Sequence, residues 1–146
     1  MLNPNINISE IIDNVPGNDS ETVLVVDDDY FLQSLGRDIL SLQGYEVLTA
    51  GSGLEAVRII NSHPRRIKLV ILNIAMSGMG GLETTKALRT CDPAIKTIIS
   101  SSFHPSRKVM DQLGSHVDAF LNKPYEVDRM VTEVKRLLND WVEFAV

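Results

Sequence analysis

The 146-residue sequence predicts an α/β domain in which a parallel β-sheet is covered by helices on both faces. Three observations carry this. Short β-branched or apolar runs occur five times, each is followed by apolar residues at helical spacing, and Gly, Pro, Asn or Asp punctuate the joins. An all-helical bundle does not account for the runs, because unbroken Val and Ile stretches suit strands covered on both sides.

The elements follow in order. Residues 1–21, rich in Asn, Asp, Pro and Gly, read as an irregular, flexible arm with at most a short turn around Ile8–Ile12. Thr22–Val26 is the first strand, closed by Asp27-Asp28-Asp29. Phe31, Leu32, Leu35, Ile39, Leu40 and Leu42 then mark a helix that ends near Gly44. Tyr45–Thr49 is a second strand, and Ser52–Ser62 a second helix stopped before Pro64. Lys68–Leu72 is the third strand, and a loop over Asn73–Gly81 leads to a helix at Leu82–Arg89. Ile95–Ile99 is the fourth strand, followed by Ser100-Ser101-Ser102 and a weaker helix over Ser106–Leu113. Asp118–Leu121 is the fifth strand. The last helix carries Val127, Met130, Val131, Val134, Leu137, Leu138 and Trp141 on its inner side. The expected division is an arm at 1–21, one domain at 22–140 and a tail at 141–146 that continues the last helix.

Composition narrows the function classes. Lys and Arg number 14 against 19 Asp and Glu, a formal net charge of −5. Such a chain has no global attraction for nucleic acid or anionic membranes. Its single cysteine, Cys91, excludes an internal disulfide and a thiolate metal cluster, and His63, His104 and His116 are too scattered to complete a zinc set. The start lacks a signal-peptide pattern, and no apolar run approaches the roughly 20 residues of a spanning helix. These features point to a cytoplasmic protein.

In parallel sheets ligands gather beyond the carboxyl ends of the strands. There the sequence places Asp27, Asp28 and Asp29, then Asn73, then Ser100 and Ser101, then Asn122, Lys123 and Pro124. Carboxylate and carbonyl oxygens are the hard ligands Mg²⁺ prefers, and a lysine with a hydroxyl suits phosphoryl oxygens. Either group also has a bland role: Asp and Ser cap helices, and a lysine before a helix can be a solvated charge.

Four motifs in order, Val25-Val26-Asp27-Asp28-Asp29, Leu69–Met76, Ile98-Ile99-Ser100-Ser101 and Phe120-Leu121-Asn122-Lys123-Pro124, resemble the receiver domain of two-component response regulators, from about Thr22 to Leu138. The resemblance implies a flavodoxin-like, doubly wound five-stranded parallel sheet in the order 2-1-3-4-5. It implies a phosphoryl group passed from a sensor histidine kinase or phosphotransfer protein to an aspartate after the third strand. It also implies a Mg²⁺ site at Asp28, Asp27, the residue at 73 and the backbone carbonyl of Ala75. Lys123 would contact the phosphoryl group or the acceptor, Ser100 would be the switch hydroxyl, Phe120 the switch aromatic, and Lys123-Pro124 a cis bond.

The acceptor position holds Asn73 and not Asp. An amide oxygen is a far poorer nucleophile than a carboxylate, so aspartyl phosphorylation is blocked. One negative charge is also lost, so Mg²⁺ binding is expected to weaken, with the amide oxygen still available as a ligand. The change is either engineered or natural; Ser77, where receivers typically carry proline, departs as well and favours natural divergence. The expected function is a receiver module that acts through protein contacts and is not an enzyme. Its partners would be a kinase, a phosphotransfer protein or a downstream protein target. A homodimer through the fourth and fifth strands and helices is a further expectation, and Trp141, Val142 and Phe144 either finish the core or add to a contact. Two rivals are a Mg²⁺-dependent phosphohydrolase and a flavodoxin-like cofactor binder; the first lacks a nucleophile at Asn73, and in the second Asp27–Asp29 would repel a flavin phosphate. No output domain is expected in the few residues after the last helix.

Overall fold

The computed structural model describes residues 21–138 except Ser77 and Phe103. The N-terminal arm as far as residue 20, Ser77, and Trp141, Val142 and Phe144 lie outside the described residues. Strands and helices alternate: β1 Thr22–Val26, α1 Tyr30–Leu42, β2 Glu46–Ala50, α2 Gly53–Ser62, β3 Ile67–Asn73, α3 Gly81–Cys91, β4 Lys96–Ser101, α4 Arg107–Leu113, a 3₁₀ turn at Gly114–His116, β5 Ala119–Asn122 and α5 Val127–Leu138. All pairings are parallel and the strand order is β2-β1-β3-β4-β5, as the motifs implied.

The sheet is covered on both faces because its strands send alternate residues to opposite sides. Val23, Val25, Leu69, Ile71, Ile98 and Leu121 pack with Ile39 and Leu40 of α1 and Met130 and Val134 of α5. Leu24, Val26, Val70, Leu72 and Ile99 pack with Ala56 and Ile60 of α2, Leu88 of α3 and Leu113 of α4. Short polar residues start three helices: Asp29 accepts from the amides of Phe31 and Leu32, Ser52 from that of Glu55, and Ser106 from that of Val109. Asp118 joins the far end of the sheet to α3: its carboxylate accepts from the Thr97 amide at 2.8 Å and from Arg89 at 3.2 Å. Among the described residues no helix is long and apolar enough to cross a membrane.

Not every apolar residue that marks a helix enters the core. Phe31 and Leu42 of α1 and Val127 of α5 are exposed. Phe31 and Leu42 fall together at one edge of the apolar stripe, turned away from the sheet that Ile39 and Leu40 face. Val127 opens α5, where a single residue overhangs the first turn, and the buried residues of that helix begin at Met130.

Candidate functional site

The crevice forms where the chain runs from β1 outward to β2 and then back to β3 on the other side of β1, so the loops after β1 and β3 diverge over one gap. Asp27 is fully buried at the end of β1. The Asp27 amide donates to the Ala50 carbonyl at 3.0 Å, and the Asp27 carbonyl accepts from Gln33 Nε2 at 2.6 Å. Asn73 is the last residue of β3 and is also buried; the next amide, of Ile74, donates to the Ser100 carbonyl at 3.0 Å. Lys123 follows β5, where its amide donates to the Ser101 carbonyl at 2.7 Å and its bond to Pro124 is cis.

These backbone anchors bring Asp27, Asp28, Asn73, Ala75 and Lys123 together. Lys123 Nζ lies 2.6 Å from Asp27 Oδ2, a buried ion pair. Asp27 Oδ1 accepts from the Asp29 amide at 3.0 Å. The Asn73 amide nitrogen donates to the Ala75 carbonyl at 3.0 Å, and to Asp27 Oδ1 and Asp28 Oδ1, both at 3.4 Å. Its oxygen accepts from the Ala75 amide at 3.2 Å, which fixes which end of the side chain faces the acids. The acidic cluster of a receiver is thus present, while the space its oxygens surround is filled by an NH₂ group. As folded, the site does not fit a divalent cation, because an N–H donor stands where a positive ion needs an oxygen. Among the described residues no group of three or more His, Cys, Asp or Glu is placed to hold a metal.

The two serines diverge. Ser100 pairs with Leu121 and Ser101 with Asn122 in the register of β4 and β5, while Ile99 pairs with Phe120. Strand alternation therefore puts Ser100 on the face of α1 and α5, and Ser101 on the face shared by Ile99 and Phe120. Phe120 is half-buried against the layer of α2 to α4. Ser100 lies instead beside Tyr125, a buried residue that the sequence did not single out although it directly follows Lys123-Pro124. Burial pushes the Tyr125 phenol up to about 12; Ser100 eases that rise, although their hydroxyls are not aligned as a regular hydrogen bond, and the charges of Asp27 and Asp29 add to it. Gln33, one turn into α1, is a second contributor that sequence spacing alone did not reveal. Beside the acceptor loop, Ile74, Ala75, His104, Pro105, Ser106 and Val109 line an apolar hollow of about 420 Å³.

An α/β domain with acids after β1, an acceptor position at the end of β3 and a lysine after β5 defines the receiver class. Residues 23–135 match the family model described as response regulator receiver domain. Chemotaxis protein CheY from Bacillus subtilis is 30% identical over 118 residues, covering 80% of this chain and 97% of that one. The solved response regulator protein TrrA from Thermotoga maritima, in complex with Mg²⁺ and BeF, is 31% identical with a TM-score of 0.71, covering 80% of this chain and 98% of the other. A CheX–CheY–BeF₃–Mg²⁺ complex from Borrelia burgdorferi matches at 27% identity and a TM-score of 0.74, over 80% of this chain and 88% of that one. The chain belongs to the response regulator receiver domain family, with Asn73 at the phosphoacceptor position. Its role is that of a pseudo-receiver in signalling, without phosphotransfer to an aspartate at this position.

Proposed function

We propose that this receiver signals through protein contacts whose strength does not depend on an aspartyl phosphate. The observation that carries this is the buried Lys123–Asp27 ion pair. The lysine that would meet an acceptor carboxylate or its phosphoryl group is engaged by Asp27, because Asn73 offers it no charge. The crevice therefore stands in one state without a phosphate to trigger it. Phe120, and Ser101 as the hydroxyl on its face of the sheet, are the proposed switch positions, with Ser100 instead packing under Tyr125.

The partner is a protein: a sensor histidine kinase or phosphotransfer protein that this chain occupies without accepting phosphate, or a downstream target. The CheX–CheY complex supports the class of partner. Tyr30 and Phe31, both largely exposed beside Asp28 and Asp29, give the crevice an aromatic rim suited to such a contact. The module is assigned to residues 22–140 and to the cytoplasm, and a homodimer would use the face of β4, α4, β5 and α5.

Incubation with Mg²⁺ and acetyl phosphate, followed by intact-mass measurement, tests the proposal. No phosphoryl adduct is expected on the wild type, and a single adduct is expected on Asn73→Asp. An adduct on the wild type that survives replacement of Asn73 by Ala would show another acceptor and overturn the proposal.

A further inference from the structure

We propose that the Asn73 amide is a built-in substitute for the divalent cation of the crevice, so that this residue excludes Mg²⁺ as well as phosphate. The inference rests on the receiver reading above and concerns the regulation of the same site. Besides residue 73 itself, the groups that the resemblance assigns to the metal are the carboxylates of Asp27 and Asp28 and the carbonyl of Ala75, and all three point at one atom, Asn73 Nδ2. That nitrogen carries two hydrogens, each with a partial positive charge, and it divides them among the three oxygens. Lys123 supplies the full positive charge, on the other oxygen of Asp27.

The orientation is held from behind. Asn73 Oδ1 accepts from the Ala75 amide, so turning the side chain to present its oxygen to a cation would set its NH₂ against that N–H. The bond to Ala75 would be lost, with two N–H donors left facing each other. Moving the side chain aside is no easier, since Asn73 is 6% exposed and closes β3. An aspartate here would have no hydrogen to offer. The oxygen standing in place of Nδ2 would face only other oxygens, and a cation would be required to hold them together.

Two pictures of Asn73 now differ in the sign of one measurement. If its oxygen were a ligand, removing the side chain would weaken cation binding. If its nitrogen takes the cation's place, removing the side chain frees the oxygens and binding strengthens. Mn²⁺ titration followed by the paramagnetic signal of the free ion, and Mg²⁺ titration followed by the amide shifts of Asp27–Asp29 and Ala75, read this directly. The expected order of affinity is Asn73→Asp over Asn73→Ala over wild type, with the aspartate variant ahead of wild type by about tenfold or more. Wild-type binding equal to or tighter than that of Asn73→Ala would overturn the proposal. Wild-type shifts under Mg²⁺ that match those of Asn73→Asp in size and midpoint would overturn it independently, with no need for the alanine variant. Acetyl phosphate added to the same samples separates the two claims. A phosphoryl adduct on wild type defeats the proposed function, whereas an inverted affinity order without an adduct defeats only the cation substitute.

Discussion

Lys123 and Asp27 set the balance of the crevice at the scale of single residues. Asp27 is fully buried, and Lys123 Nζ lies 2.6 Å from it. Removing one partner of such a pair strands a charge, whereas removing both leaves little behind. Lys123→Met is therefore expected to cost about 3 kcal/mol of stability, and the double variant Lys123→Met with Asp27→Asn distinctly less. Urea unfolding of the two single variants and the double gives the coupling; a Lys123→Met cost no larger than that of an exposed pair, below about 1 kcal/mol, would show that water still reaches Asp27. The identity of these residues was legible in the sequence because each sits at a strand end. Their pairing was not. A lysine opposite an acceptor carboxylate and a lysine opposite Asp27 are the same letters, and only the neutral amide at position 73 decides between them. The orientation of that amide was equally hidden, since it depends on the Ala75 N–H two residues further on.

At the scale of the element, the start of α3 fixes the acceptor loop. The Gly81 amide donates to the Ile74 carbonyl at 3.3 Å, and a Cβ on Gly81 would come within 2.8 Å of Ile74 Cα and 2.9 Å of its carbonyl oxygen. Helix propensity alone favours alanine over glycine by roughly 1 kcal/mol inside a helix. Backbone crowding outweighs it here: Gly81→Ala is expected to destabilise by about 1–3 kcal/mol and to shift the amide resonances of Ile74 and Ala75. A stabilised variant with unmoved resonances would mean that the loop gives way freely. The same contact shows what the sequence could and could not tell. The glycines of this loop marked it as a turn, but nothing in their spacing identified Gly81 as the one pressed against backbone. Strands were legible from their Val and Ile runs, and their ends less so. Asn73, Ser100 and Ser101 belong inside β3 and β4 rather than after them, because polar side chains at a strand end still leave the backbone free to pair. Phe31 was placed by type, as an apolar residue near a stripe, when its angular position on α1 turned it outward. Ser100 and Ser101 differ by one residue, and in a strand one residue is the difference between opposite faces.

The whole molecule joins two apolar layers through one sheet, and β3 is the strand that serves both. Leu69 and Ile71 enter the layer of α1 and α5, Val70 and Leu72 the layer of α2, α3 and α4, and all four are fully buried. The unbroken Leu69–Leu72 run, followed at once by Asn73, is the part of the sequence in which fold and site are written together. A strand covered on both faces must be apolar throughout, and its first polar residue marks where the sheet opens to the crevice. The layers are therefore not independent units, since the backbone of β3 cannot leave one without leaving the other. Ile71→Ala and Leu72→Ala, one in each layer, are each expected to cost about 2–5 kcal/mol. Each is also expected to keep a single unfolding transition, with far-UV circular dichroism and the dispersed methyl resonances of both layers lost at the same urea concentration. If instead Leu72→Ala released the methyl groups of Ile60 and Leu88 while those of Leu40 and Val134 stayed dispersed, the two layers would be separable. The crevice at the end of β3 would then sit between two folding units and lose the rigid frame that its fixed hydrogen bonds require.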